Sequence, residues 1–297
     1  MLEKTVSRRS SSAAAPAGPR TPFPRPTNLG QRILTSLIVL PFVLVAIVLG
    51  EWAFVALIVC GGLFASLEFY ALQHGRPDQG VAIVGVPCVI GLALAFYLRA
   101  PALGLAMAGA ALIVSFLVSL LRHRGAIVRA ARQTGMTAAG LVYVGLPCGF
   151  LLELRHWPHG LVWMLVVLAL TWGSDTFAYI GGRLWGRTPL APTLSPKKTR
   201  EGAIAGYFGG LAPALIILAA NGLLSPLAAL LCAVGPLVAI AGDLCESALK
   251  RHYGAKDSHV PGLDVLPGHG GVLDRVDALL FVTAWVYLCV VVAGLPR

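Results

Sequence analysis

Charge is what this chain has least of. Only 12% of its 297 residues are Asp, Glu, Lys or Arg, against about 25% in a typical soluble domain. With 57% hydrophobic residues and a mean hydropathy of +0.79, a large soluble domain is excluded, because apolar runs fill most of the chain after residue 32. Paired cysteine motifs are also lacking. Cys60, Cys88, Cys148, Cys232, Cys245 and Cys289 all lie in apolar runs with no C-x-x-C spacing, which leaves packing as their role. There is no G-x-x-x-x-G-K-[ST], so no P-loop nucleotide site, and no internal repeat of the kind many transporters carry.

What remains is an all-α polytopic membrane protein. Runs long enough to cross a bilayer occur at roughly 33–50, 52–72, 81–98, 101–121, 136–154, 161–181, 202–220, 226–249 and 276–295, about nine transmembrane helices. Twenty of the 23 basic residues fall on one side of that pattern, with Arg99, Arg155 and Arg297 on the other. The positive-inside bias therefore puts the N-terminus in the cytoplasm and the C-terminus outside. The formal net charge of +10 reads as topology and contact with anionic lipid, not as nucleic-acid binding. Residues 1–32, rich in Ser, Ala, Pro and Arg, are expected to be a disordered basic cytoplasmic tail, and 33–297 an integral membrane catalytic domain.

The few acids are placed unevenly, eight of 13 between residues 175 and 277. At about 1.5 Å of helical rise per residue, Asp175 lies about 21 Å and Asp243 about 26 Å in from the outer edge. Asp274 and Asp277 stand where the last span begins, so three helices bring carboxylates to the cytoplasmic half of the membrane. In "AGDLCESALKRHYGAKD", Asp243, Glu246, Ser247 and Lys250 share one helix face, with Arg251 and Lys256 just beyond. Carboxylates lying deep, with basic groups nearer the water, suit a phosphorylated substrate held with a divalent metal. The competing reading is a set of salt bridges that only ties helices together.

The segment "GGRLWGRTPLAPTLSPKKTREG", residues 181–202, reads as a structured loop. Its Ser195, Lys197 and Lys198 could bind phosphate or make a polybasic, lipid-facing loop. In "LPGHGGVLDRVD", Gly268, Gly270 and Gly271 allow close approach to a ligand and would leave free N–H groups at the start of the last helix, favourable for an anion. His269 is open between a phosphate contact, a proton carrier and an ordinary loop histidine.

The run "ESALKRHYGAKD…LPGHGGVLDRVD" closely resembles the signature of the bacterial phosphatidate cytidylyltransferases, also called CDP-diglyceride synthetases. "WGSDTFAYIGGRLWGR", "LSPKKTREG" and "GDLCES" stand upstream in the expected order. The resemblance covers about residues 160–297, and the spacer "SHVPGLDVL" is a few residues longer than in the family pattern. It implies the reaction CTP + phosphatidate → CDP-diacylglycerol + pyrophosphate in the cell inner (plasma) membrane, with the active site facing the cytoplasm. By that resemblance Asp243 and Asp274 are the metal-binding aspartates, for Mg²⁺ with a second cation as an option; Asp175, Glu246 and Asp277 are expected, on their placement, to support them. Asp243, Asp274, Lys250 and Arg275 would be catalytic. Ser195, Lys197, Lys198, Arg251, Lys256, His269, Gly270 and Gly271 would bind substrate. The lipid bilayer is an implied partner, nucleic acid is not, and a homodimer stays open. The alternatives are a sister CTP-dependent membrane enzyme, either a CDP-archaeol synthase or a polyprenol kinase, and a cation-coupled transporter.

Overall fold

A computed structural model describes residues 29–255, 257–258 and 270–297. The expected tail up to residue 28, together with Lys256 and His269, lies outside the described residues. Among the described residues nine continuous helices follow one another: α1 (Leu29–Leu49), α2 (Glu51–Ala71), α3 (Ala82–Tyr97), α4 (Pro101–Arg122), α5 (Ile127–Arg155), α6 (Gly160–Trp185), α7 (Arg200–Ala220), α8 (Pro226–Tyr253) and α9 (Leu273–Val292). Seven of them, α2 and α4–α9, are long and apolar enough to cross a membrane, while α3 is apolar but has only 16 residues. These helices match the nine expected runs. The departure from an all-α reading is a small antiparallel hairpin between α6 and α7, β1 (Pro189–Ala191) with β2 (Ser195–Thr199).

Two helices contain a wider π-turn. In α5 it spans Leu141–Gly145, just before Pro147, whose ring would clash with the carbonyl four residues earlier in a regular helix. In α6 it spans Ala169–Gly173, where the Thr171 hydroxyl bonds back to the carbonyls of Val167 (2.9 Å) and Leu168 (3.3 Å) and competes with the backbone ladder. Capping follows ordinary chemistry. Thr199 Oγ1 accepts the Gly202 N–H before α7 (3.1 Å), and Ser225 Oγ accepts the Ala228 N–H before α8 (3.1 Å).

The core runs through α2, α3, α5, α6 and α9, around buried Leu92, Leu152, Trp163, Leu170 and Val286. Large apolar side chains face outward on the remaining surfaces, among them Ile113, Leu117, Phe208, Ile216 and Leu237. Such an extent of apolar surface fits lipid rather than water, and the chain is a multi-pass membrane protein. Helices α6 and α7 approach closely along a seam of glycines. A Cβ on Gly206 would lie 2.6 Å from the Ser174 carbonyl oxygen, and one on Gly181 2.4 Å from the Ala205 Cβ. Only small residues allow backbones this near.

Within the first half of the chain, one group of neutral polar side chains forms a connected network. Thr137 Oγ1 accepts from the Val81 N–H (2.9 Å), donates to the Gln133 carbonyl (2.9 Å) and lies 3.0 Å from Ser115 Oγ. Tyr70 donates its hydroxyl to the Thr137 carbonyl (3.1 Å), and Gln73 Oε1 accepts the Gly80 N–H (2.9 Å).

Candidate active site

The hairpin is fastened at its base to α7. The Glu201 carboxylate accepts the backbone N–H groups of Arg187 (3.1 Å) and Thr188 (3.2 Å), and the Arg200 N–H donates to the Thr188 carbonyl (2.9 Å). Between hairpin, α6, α7 and α8 opens a cleft of about 470 Å³, lined among others by Asp175, Ser195, Lys197, Lys198, Thr199 and Asp243. The glycines of the α6–α7 seam, Gly182, Gly202 and Gly206, form part of its wall.

Lys198 reaches across from β2 to form an ion pair with Asp243 on α8. Burial pushes the Lys198 ammonium below the ordinary lysine value. The Asp175 and Asp277 carboxylates oppose that shift, Lys250 adds to it, and Glu246 opposes it again. Lys198 therefore feels charges from α6, α8 and α9 together. The carboxylates that the sequence placed at one depth on three helices do converge.

A second ionic group lies alongside. Lys250 on α8 bridges Glu246, one turn back on the same helix, and Asp274 in the first turn of α9 (2.7 Å to Asp274 Oδ1). Asp274 Oδ2 also accepts the backbone N–H groups of Ser258 (3.1 Å) and Gly271 (3.0 Å). Glu246 is 1% exposed, and its Oε1 has no hydrogen-bond partner among the described residues. Arg275 and Arg251 are exposed, and Arg275 acts electrostatically on Asp175. Asp277 lies within the charge range of Lys198 and, like Asp274, of Lys250.

Lys250, placed by the sequence on one helix face with Glu246, pairs with it as that spacing allows, and Lys198 meets Asp243 from a different element. One expectation needs correction. The sequence suggested free N–H groups at the start of α9. They are taken: Val272 and Leu273 donate to the Glu68 carboxylate (2.8 and 2.7 Å), and Gly271 donates to Asp274. Gly270 adopts φ +77° beside them and is exposed.

Glu68 was missed. It is a lone carboxyl on an apolar span, which marks it as costly and worth explaining, but its partners are some 200 residues away in sequence. Ser258, which also meets Glu68, sits in the spacer and carried no signal.

Among the described residues no three His, Cys, Asp or Glu side chains are grouped closely enough to enclose a metal ion. The donors present are nonetheless hard carboxylate oxygens. Mg²⁺ is usually held by one or two carboxylates together with substrate phosphates and water, not by a full protein cage. The buried Glu246 Oε1, without a hydrogen-bond partner among the described residues, fits such an ion.

A model of the Cytidylyltransferase family matches residues 30–293. A phosphatidate cytidylyltransferase of Brucella abortus biovar 1 (strain 9-941) is 35% identical over 271 residues, covering 88% of this chain and 93% of its own. One from Bacillus subtilis (strain 168) is 31% identical over 281 residues, covering 88% and 97%. One from Thermotoga maritima is 31% identical over 272 residues, covering 88% and 96%.

Proposed function

Because the chain belongs to the cytidylyltransferase family it is a nucleotidyltransferase, and we propose that it joins CTP to phosphatidate, giving CDP-diacylglycerol and pyrophosphate. The observation that carries this reading is the convergence of Lys198 and Lys250 with carboxylates of α6, α8 and α9 beside an open cleft. A transporter would need intramembrane charge but no family of CTP-using enzymes behind it.

In the reaction an oxygen of the lipid phosphate attacks the α-phosphorus of CTP in line. A new O–P bond forms as the bridging oxygen to the β-phosphorus departs with its electron pair in pyrophosphate. The attacking phosphate monoester is already anionic near neutral pH, so the step needs no general base. Its barrier lies in bringing two anions together, and neutralisation and positioning lower it. Ser195, Lys197 and Lys198 along β2 hold the nucleotide phosphates as hydroxyl and ammonium donors. Lys250 and Arg275 stand where the lipid phosphate arrives at headgroup depth. Asp243 and Asp274 would hold Mg²⁺, with Glu246, Asp175 and Asp277 in support, and the bound ion would neutralise phosphate oxygens and template their geometry.

The bias of Lys and Arg supports a site facing the cytoplasm, in the inner membrane of a bacterium. With the native cysteines replaced, Ser195→Cys and Arg297→Cys are expected to label from opposite faces of sealed vesicles. Labelling of both from one face would refute that orientation.

The purified chain, supplied with phosphatidate, Mg²⁺ and CTP labelled at the α-phosphorus, is expected to form labelled lipid and release unlabelled pyrophosphate. Transfer of label from γ-labelled CTP to lipid would instead identify a kinase and overturn the assignment.

A further inference from the structure

Glu68 lies on α2, far in sequence from the ionic groups of α8 and α9, and it is 3% exposed. Its two oxygens are fully committed. Oε1 accepts the Val272 N–H at 2.8 Å, and Oε2 accepts the Leu273 N–H at 2.7 Å and the Ser258 hydroxyl at 3.2 Å. One of those partners, Ser258, also holds the next residue in the chain of contacts. The Ser258 N–H (3.1 Å) and the Gly271 N–H (3.0 Å) both converge on Asp274 Oδ2. A Cβ on Gly271 would fall 2.5 Å from Glu68 Oε2 and 2.2 Å from Ser258 Oγ, so the segment lies directly on the carboxylate.

A carboxylate held by two successive helical N–H groups and a hydroxyl fixes direction as well as distance. It sets the axis of α9 at its first turn, where Asp274 points at Lys250. From this geometry we infer that Glu68 is a positioning residue for Asp274: it acts through Ser258 and the first amides of α9 and touches no substrate. Glutamine cannot replace it, because its –NH₂ would face an N–H donor where the second oxygen now accepts.

The inference rests on the proposed function, and its test separates the two. Glu68→Gln in the full chain in lipid nanodiscs is expected to lower kcat by about tenfold or more, the usual cost of removing a group that orients a metal-site ligand. The Mg²⁺ concentration for half-maximal rate rises with it, while the KM for phosphatidate stays within about twofold of the parent. Hydrogen exchange of the Val272 and Leu273 amides accelerates, and that of the second half of α9 does not. Native kcat and native Mg²⁺ dependence in the variant, or a rate loss that vanishes once corrected for the folded fraction, would overturn the inference. Ser258→Ala keeps both backbone bonds and guards against a variant that fails to fold. It should cost about threefold in kcat, as one lost hydrogen bond does, and an unchanged kcat there counts equally against the inference. If the parent forms no CDP-lipid, the proposed function fails, and the exchange measurement still decides whether Glu68 holds α9.

Discussion

The molecule contains two polar knots built in opposite ways. In the first half, Tyr70, Gln73, Ser115 and Thr137 join α2, α4 and α5 through neutral groups, each bonded to another side chain or to backbone. In the second half, Lys198, Asp243, Glu246, Lys250 and Asp274 join β2, α8 and α9 through full charges, and the Glu246 Oε1 is left without a partner among the described residues. A neutral network that satisfies itself rigidifies a fold at modest cost. Charges buried this way stabilise little, since desolvation offsets most of their attraction. The proposed chemistry falls where the chain concentrates the expensive kind.

If that contrast is right, substitutions in the two knots should fail differently. The largest effect is expected from Asp243→Asn and Asp274→Asn, each abolishing turnover. The double variant should be no worse than either single one, because both serve one site. Near-native rates at saturating Mg²⁺ in either variant would remove the assignment. Next comes Arg275→Ala, expected to lower kcat/KM by an amount worth about 2–4 kcal/mol, as for the loss of one preorganised donor. Its melting temperature should stay near the parent's, since Arg275 is exposed at the end of its helix. A sharp fall in stability with normal turnover per folded molecule would mean that this charge serves the fold.

The neutral knot should show the reverse. Thr137→Val keeps the shape but strands the Val81 N–H and the Ser115 hydroxyl, for an expected loss of about 1–3 kcal/mol of stability. Turnover per folded molecule is expected to be unchanged, which a denaturation series run alongside the CTP assay would check.

The smallest effect concerns pH. His156, between α5 and α6, packs on Tyr97 with ring centroids 4.8 Å apart. Burial, then the neighbouring Arg99 and Arg155, pushes it below the ordinary histidine value, with Glu153 opposing. The unfolded chain therefore binds a proton at a pH where the folded one does not. Stability from this group is present above the ordinary histidine value of 6.5 and is lost as pH falls toward the lowered one. A melting temperature that declines on acidification in the parent should decline less in His156→Gln, and equal slopes would refute this.

The helices were legible because length and hydrophobicity alone define a span, and α2 and α4–α9 need nothing more. The carboxylates of α6, α8 and α9 were legible for a similar reason, since helical rise converts sequence position into depth. The hairpin was half visible: Gly, Pro and Ser-Pro steps announced a structured loop but not its pairing of Pro189 with Thr199. What stayed hidden depends on contacts between distant segments. Lys198 meeting Asp243 and Glu68 meeting Leu273 leave no local trace, and the π-turns depend on how α5 and α6 settle against their neighbours.

The glycine seam between α6 and α7 also bears on how the cleft can work mechanically. With their backbones in direct contact, these helices have no side-chain cushion along which to slide, and they behave as one stiff piece. The hairpin is strung between their ends and clipped by Glu201 at its base. Lys198 on its second strand is in turn held by Asp243 of α8. The entropy of placing that strand is therefore spent during folding.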